Sequence, residues 1–241
     1  MTTAVAQRTA FYRVHPGARF STKRWFALVL PGESAGFVLP GLAWFVVWAL
    51  SVPPLVASTA VVLSGAGEGA MLGFAQWLAL RHWDTTFPRR WIAVTAASAS
   101  LAWACGMTPS TASDLGAPVW LIIPLALVLM TVLLASMPVA QYLVLRRYVP
   151  RAWRWIPWSI AAWLLALPPT FLIPMSIPND SPVAAFAIGW VVSGLLMASI
   201  LAFVTGKAMQ RLLDGATVDP RLRPGIRHSI YRPWLKSANE K

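Results

Sequence analysis

Long apolar runs alternate with short basic stretches along this chain at a regular spacing. Residues 25–80, 91–145 and 155–206 contain no lysine or arginine, and all 20 basic residues fall before, between and after these intervals. One helix needs about 20 apolar residues to cross a bilayer, so each interval holds two helices, out and back. The expected spans are Trp25–Val52, Leu55–Leu80, Trp91–Met107, Val119–Leu145, Trp155–Ile173 and Ala184–Gly206. Pro31, Gly32, Gly36 and Pro40 interrupt the first, which leaves open whether Trp25–Leu30 lies in the membrane interface with the span starting later. The expected fold class is an all-α integral membrane protein, six transmembrane helices arranged as three tandem helical hairpins. The chain then divides into a basic N-terminal segment (1–24), a transmembrane domain (25–206, with hairpin units at about 24–89, 90–153 and 154–206) and a basic tail (207–241).

Composition narrows the class further. The chain is 57% hydrophobic and only 12% charged, with a formal net charge of +12. Soluble domains carry about a quarter charged residues, so an ordinary soluble enzyme and a disordered chain are both excluded. A basic excess suits either nucleic acid or an anionic membrane surface. A nucleic-acid binder gathers its bases on one surface. Here they recur at hairpin ends, so no nucleic-acid partner is expected. Basic loops stay on the cytoplasmic side, which puts both termini there and gives the basic loops anionic lipid head groups as partners. The outer connections fall near Pro53-Pro54, Thr108–Pro118 and Pro174–Val183. Trp25, Trp83, Trp91, Trp153 and Trp155 sit beside the basic clusters, the position of an interfacial aromatic belt. The N-terminal segment has no apolar core followed by a small-residue cleavage site, so it does not read as a secretory signal. The single cysteine, Cys105, reads as a small packing residue of the third span.

The units repeat. Each opens with Arg-Trp, at Arg24-Trp25, Arg90-Trp91 and Arg154-Trp155, with periods of 66 and 64 residues. Gly73-Phe-Ala-Gln76-Trp-Leu-Ala-Leu-Arg81 matches Pro138-Val-Ala-Gln141-Tyr-Leu-Val-Leu-Arg146 at an offset of 65. The third unit, over about Ala198–Arg211, has no glutamine at the matching position. Parallel repeats about an axis along the membrane normal are one design of transporters.

Two carboxylates fall inside the expected bilayer. Glu33 lies eight residues past Trp25, about 12 Å deep at 1.5 Å per residue. Glu68 lies thirteen residues before Arg81, about 20 Å from the cytoplasmic edge. Charge there is costly, and no Lys, Arg or His shares their depth, so a neutral, hydrogen-bonded acid is the simpler state. On a helical wheel Gly65, Glu68, Gly69, Leu72 and Gln76 share a face, and the Gly65, Gly69, Gly73 row permits close helix approach. Glu33, Glu68, Gln76 and Gln141 are therefore expected to form one buried polar cluster. Such a cluster either joins helices, at about 0.6 kcal/mol per hydrogen bond, or marks a proton or solute path. Thr95, Ser98, Ala99 and Ala102 give the third span thin faces suited to crowded packing.

Enzyme chemistry is missing. No metal site, cofactor motif, nucleophile elbow or phosphate loop is present, and His15, His82 and His228 all lie in cytoplasmic segments without partners at metal spacing. His82-Trp83-Asp84 reads as a solvated loop. The Pro-rich tail, with Tyr231 and Trp234, reads as touching anionic lipid or docking a cytoplasmic partner.

Gly32-Glu33-Ser-Ala-Gly36-Phe37 and the tandem Gly-x-x-Gln-Trp-x-x-Leu-Arg element at Gly73–Arg81 resemble those of a group of uncharacterised bacterial multi-pass membrane proteins. The second copy departs from the pattern, with Pro138 for Gly and Tyr142 for Trp. The resemblance implies a bacterial cytoplasmic membrane and no particular activity. The mitochondrial carriers are also built of three hairpins, but their Pro-x-acid-x-x-base motif is absent. The expected function is a non-enzymatic, transporter-like or channel-like bundle. The alternatives are an accessory subunit with a membrane-protein partner and, with least support, a lipid-modifying enzyme.

Overall fold

The computed structural model describes residues 20–218, with side chains as far as Asp214. Arg8, Arg13, His15, Arg19 and the tail from Arg221 onward, including Tyr231 and Trp234, lie outside the described residues. Among the described residues the structure is all-helical, and six helices are long and apolar enough to cross a membrane. They are α1 (Thr22–Ala49), α2 (Pro54–Trp83), α3 (Arg90–Asp114), α4 (Val119–Leu145), a fifth span broken into α5 (Trp155–Ala166) and α6 (Pro168–Met175), and α7 (Val183–Val218).

Neighbours in sequence pack as neighbours in space, and α7 returns to pack on α1, so the spans close into a ring. One end of the ring carries the basic residues. The other carries the three tight connections at 50–53, 115–118 and 176–182. Pro53 and Pro118 precede the helices that leave two of these turns, and Gly116 supplies a φ of +84° that a side chain rarely adopts.

The structure differs from expectation at α7, which runs to Val218, twelve residues past the expected end at Gly206, and in three further places. First, α1 is one continuous helix from Thr22, through Pro31 and Pro40, and Trp25 and Val29 are fully buried rather than interfacial. Ser21 caps it by accepting from the Arg24 amide. Second, α3 continues through Pro109 to Asp114, seven residues past the expected end. Third, the fifth span breaks at Leu167. Pro168 and Pro169 have no N–H to give to the carbonyls of Leu164 and Leu165, so the helix restarts as α6.

The exterior is apolar where a soluble protein's is polar, and several polar groups share the interior with an apolar core. Glu33, Glu68, Gln76, Thr95, Gln141, Ser159, Ser193 and Thr205 are buried. Leu42, Trp48, Leu63, Ile123, Leu127, Phe171 and Ile188 are exposed. Polar groups inside and an apolar exterior are what a bilayer solvent demands.

Candidate functional site

Close helix approach brings the polar groups together. A Cβ on Gly69 would lie 2.8 Å from the Thr95 carbonyl oxygen, and one on Gly73 would lie 3.1 Å from Ile92 Cα. Gly36 meets Glu68 across the other side of α2, where a Cβ would sit 3.1 Å from Glu68 Cα. The glycine row thus lets α3 lie against α2, and Gly36 lets α1 lie on the opposite side.

The first polar group is a layer near the basic end. Trp91 Nε1 donates to Gln76 Oε1 at 3.0 Å, and Gln141 Nε2 donates to the same oxygen at 3.0 Å. Gln141 Nε2 also donates to Thr95 Oγ1, and Gln141 Oε1 accepts from Trp155 Nε1, both at 3.0 Å. Trp25 Nε1 donates to Thr205 Oγ1 at 3.0 Å. All three Arg-Trp tryptophans therefore do the same thing: each indole binds an acceptor on the last helix of another hairpin. The third of these bonds joins α1 to α7 and closes the ring. Trp25 and Trp91 each meet Trp155 with ring centroids 6.3 Å apart, so the three indoles form one plug on the bundle axis.

The second group surrounds a cavity of about 400 Å³ that runs from this layer toward the turn end. Every span contributes to its wall. Leu72, Met137 and Met197 lie deepest, and Trp44, Met107 and Met175 lie nearest the turns. Glu33 and Glu68 are at the wall, and Trp103 Nε1 donates to Glu68 Oε2. Glu33 is fully buried, and among the described residues neither of its carboxyl oxygens has a hydrogen-bond partner. Phe37 and Trp190 stack at 4.5 Å and 4°, and Trp190 Nε1 donates to the Phe37 carbonyl at 3.3 Å. The broken fifth span flanks the cavity through Leu167, Thr170, Phe171 and Pro174.

The four residues expected in one cluster are thus divided. Gln76 and Gln141 are bonded directly to each other, Glu68 is held by Trp103, and Glu33 stands one helical turn from Gly36 with no bond to any of them. The tryptophans expected in an interfacial belt are also corrected. Trp25, Trp83, Trp91 and Trp155 are buried, and only Trp153 of the five is exposed. The cause is the indole N–H of Trp25, Trp91 and Trp155, which finds its acceptor inside the bundle. The reading of 82–84 as a solvated loop is corrected as well. Asp84 is buried and accepts from the Thr86 amide at 2.8 Å and hydroxyl at 2.7 Å, closing the turn after α2. Thr205, Trp103 and Trp190 were not expected at the site. The repeat held the signal for Thr205, since the 65-residue offset from Gln141 falls on the adjacent position, 206. It held one for Trp103 as well, which stands 66 residues after Phe37, whereas Trp190 aligns with no aromatic residue in the other units. Among the described residues no three His, Cys, Asp or Glu are grouped to hold a metal ion.

The chain matches no family model, no curated protein and no solved structure.

Proposed function

We propose that the chain is a multi-pass protein of a bacterial cytoplasmic membrane, with both termini cytoplasmic, and that it works as a small non-enzymatic transporter whose solute occupies the central cavity. The observation that carries this reading is the cavity itself, walled by all six spans, with two acids at its wall and a tryptophan–glutamine plug at its base. Intramembrane acids commonly serve solute or proton paths, and broken helices beside a midplane cavity are a recurring transporter device. The positive-inside rule supports the orientation, because the described bases collect at one end. In this reading the turn end faces out, the cavity is the outward-open site, and passage requires the plug to part. An accessory subunit would instead need only a well-packed bundle and a partner.

The test is solute uptake and proton movement in proteoliposomes, measured across a panel of labelled cations, anions and neutral solutes. Protein-dependent flux in the wild type, abolished in Glu68→Gln, is the expected result. No flux across the panel, together with stoichiometric co-purification of a second membrane protein in mild detergent, overturns the reading in favour of the accessory role.

A further inference from the structure

The chemistry of the cavity wall restricts what it can hold. Every Lys, Arg and His among the described residues lies near the basic end, and none is at the cavity wall. An anion would meet two acids and no countercharge. A sugar or other polyhydroxy solute needs many hydrogen-bonding partners, since each polar group left unpaired on desolvation is costly. Among the described residues the wall offers oxygen-bearing side chains only at Glu33, Glu68 and Thr170. A bare metal ion needs about four to eight ligands, and no cluster of that kind exists among the described residues. What the wall has in quantity is aromatic and thioether surface: the stacked Phe37–Trp190 pair, Trp44, Trp103, Trp163 and Phe171, with four methionines. Aromatic faces attract cations that have little hydration to lose. A cavity of about 400 Å³ falls within the range of about 300–1,000 Å³ typical of small-molecule sites.

We infer that the cavity binds an organic cation, an ammonium-type centre carried on an aromatic or alkyl body, with the body against the aromatic wall and the positive centre toward Glu33 and Glu68. The inference rests on the cavity being the solute site of the proposed transporter, and it names the class of that solute. Glu68, which also accepts from Trp103, presents surface at the wall, and Glu33, whose oxygens are fully buried without a donor, adds its acid from behind that surface.

The test uses two ions of the same shape and opposite charge, tetraphenylphosphonium and tetraphenylborate. Binding of each, radiolabelled, is measured by equilibrium dialysis on the full chain in lipid nanodiscs, against nanodiscs without protein. Partition into lipid takes up both ions, so only a charge-selective site separates them. The expected result is saturable, protein-dependent binding of the phosphonium, at least tenfold tighter than any binding of the borate. Glu68→Gln and Glu33→Gln, each checked for unchanged elution as a monodisperse particle, are expected to weaken it at least tenfold. Equal binding of the two ions by the wild type overturns the inference without reference to any variant. Unchanged phosphonium affinity in both variants also overturns it. Selective phosphonium binding without flux of any solute overturns the transport reading and leaves the ligand class standing. Flux of an anion or a neutral solute, blocked by Glu68→Gln, without phosphonium binding does the reverse.

Discussion

Gln141 uses its amide nitrogen for Gln76 and Thr95 and its amide oxygen for Trp155, all at 3.0 Å. Glu33, about 12 Å further along α1 than Trp25 at helical rise, has no donor for either oxygen. Both side chains are buried at 1% exposure or less, so burial does not distinguish them. Satisfaction does. A buried network with every member paired fixes one arrangement of the helices around it, and that is what the basic half of the bundle contains. The part of the bundle above this layer, toward the turns, holds an acid whose bonding needs its own bundle does not meet, beside a cavity. Gln141 is held by its bonds as part of the scaffold, whereas Glu33 is held by none and lies at the cavity wall.

If that contrast is physical, removing a polar group should have opposite consequences in the two halves. The largest effect is expected from Gln141→Leu. It leaves the Trp155 indole without an acceptor and takes a donor from both Gln76 and Thr95. An orphaned buried donor costs about 1–3 kcal/mol, and interhelical bonds in membranes reach about 1.7 kcal/mol each. A loss of about 2–3 kcal/mol is expected in reversible unfolding in mixed micelles. A change below about 0.5 kcal/mol, the ordinary scatter of surface substitutions, would mean that the layer does not hold the hairpins together.

Glu33→Leu should move stability the other way. It removes a buried carboxyl with no partner and fits an apolar side chain of similar size. A gain of about 1–2 kcal/mol is expected, the desolvation penalty of an unpaired polar group returned, together with loss of phosphonium binding. Destabilisation on the scale of Gln141→Leu would show that Glu33 is bonded in the lipid-embedded protein, and the contrast between the halves would collapse.

The two halves also differed in how much the sequence disclosed. The spans followed from the spacing of arginines and lysines, because bilayer thickness sets helix length and charges cannot cross it cheaply. The Gln76–Gln141 contact was legible because the two residues occupy equivalent places in a repeat, and a cyclic arrangement brings equivalent places to one level. The tryptophans beside the arginines were misread because position along the chain gives depth but not direction. An indole at the membrane edge satisfies its N–H equally well from a head group or from an inward glutamine, and only the packed bundle distinguishes the two. The cavity was legible in position but not in chemistry. Its wall uses equivalent places of the three units, Glu33, Ala99 and Trp163, then Phe37, Trp103 and Leu167, then Glu68, Leu133 and Met197, at the same 64–66-residue offsets, but the side chains at those places differ, so the repeat alone did not mark them as a wall. Glu33 and Glu68 were visible as costly residues, but their different fates depend on one indole donor supplied by α3.

Thr205 sharpens the same comparison at smaller scale. It stands where the third unit lacks a glutamine, and it offers the Trp25 indole one acceptor rather than an amide network. Its hydroxyl also donates to the Leu201 carbonyl at 2.6 Å, which fixes its lone pairs toward the indole. Thr205→Val keeps the shape and removes the acceptor, for an expected loss of about 1 kcal/mol. Trp25→Phe alone should lose both this bond and the packing of a fully buried indole, and in the Thr205→Val background only the packing, so a double-mutant cycle reads a coupling of about 1 kcal/mol. Additive losses would show that the α1–α7 closure rests on packing and not on this bond.

Gly65→Ala is expected to have the smallest effect on stability and isolates the turn half. At Gly69 the obstacle to a Cβ is the Thr95 carbonyl, part of a helix backbone, whereas at Gly65 it is the Trp103 indole, a side chain. The clash reaches Cγ and Cβ of Trp103, so relieving it means re-aiming the whole indole, an overpacking cost of about 1–3 kcal/mol. Alanine also raises intrinsic helix propensity by about 1 kcal/mol relative to glycine, which offsets part of the displacement. Net stability should therefore fall by about 1 kcal/mol or less, the overpacking cost set against the propensity gain. The displaced indole, however, is the donor to Glu68 and part of the aromatic wall. Phosphonium affinity should fall by about threefold, a shift of about 0.65 kcal/mol, while the Gln141 network and its contribution to stability remain as in the wild type. A loss of stability comparable to that of Gln141→Leu, with affinity unchanged, would place Trp103 in the scaffold and remove it from the cavity's function.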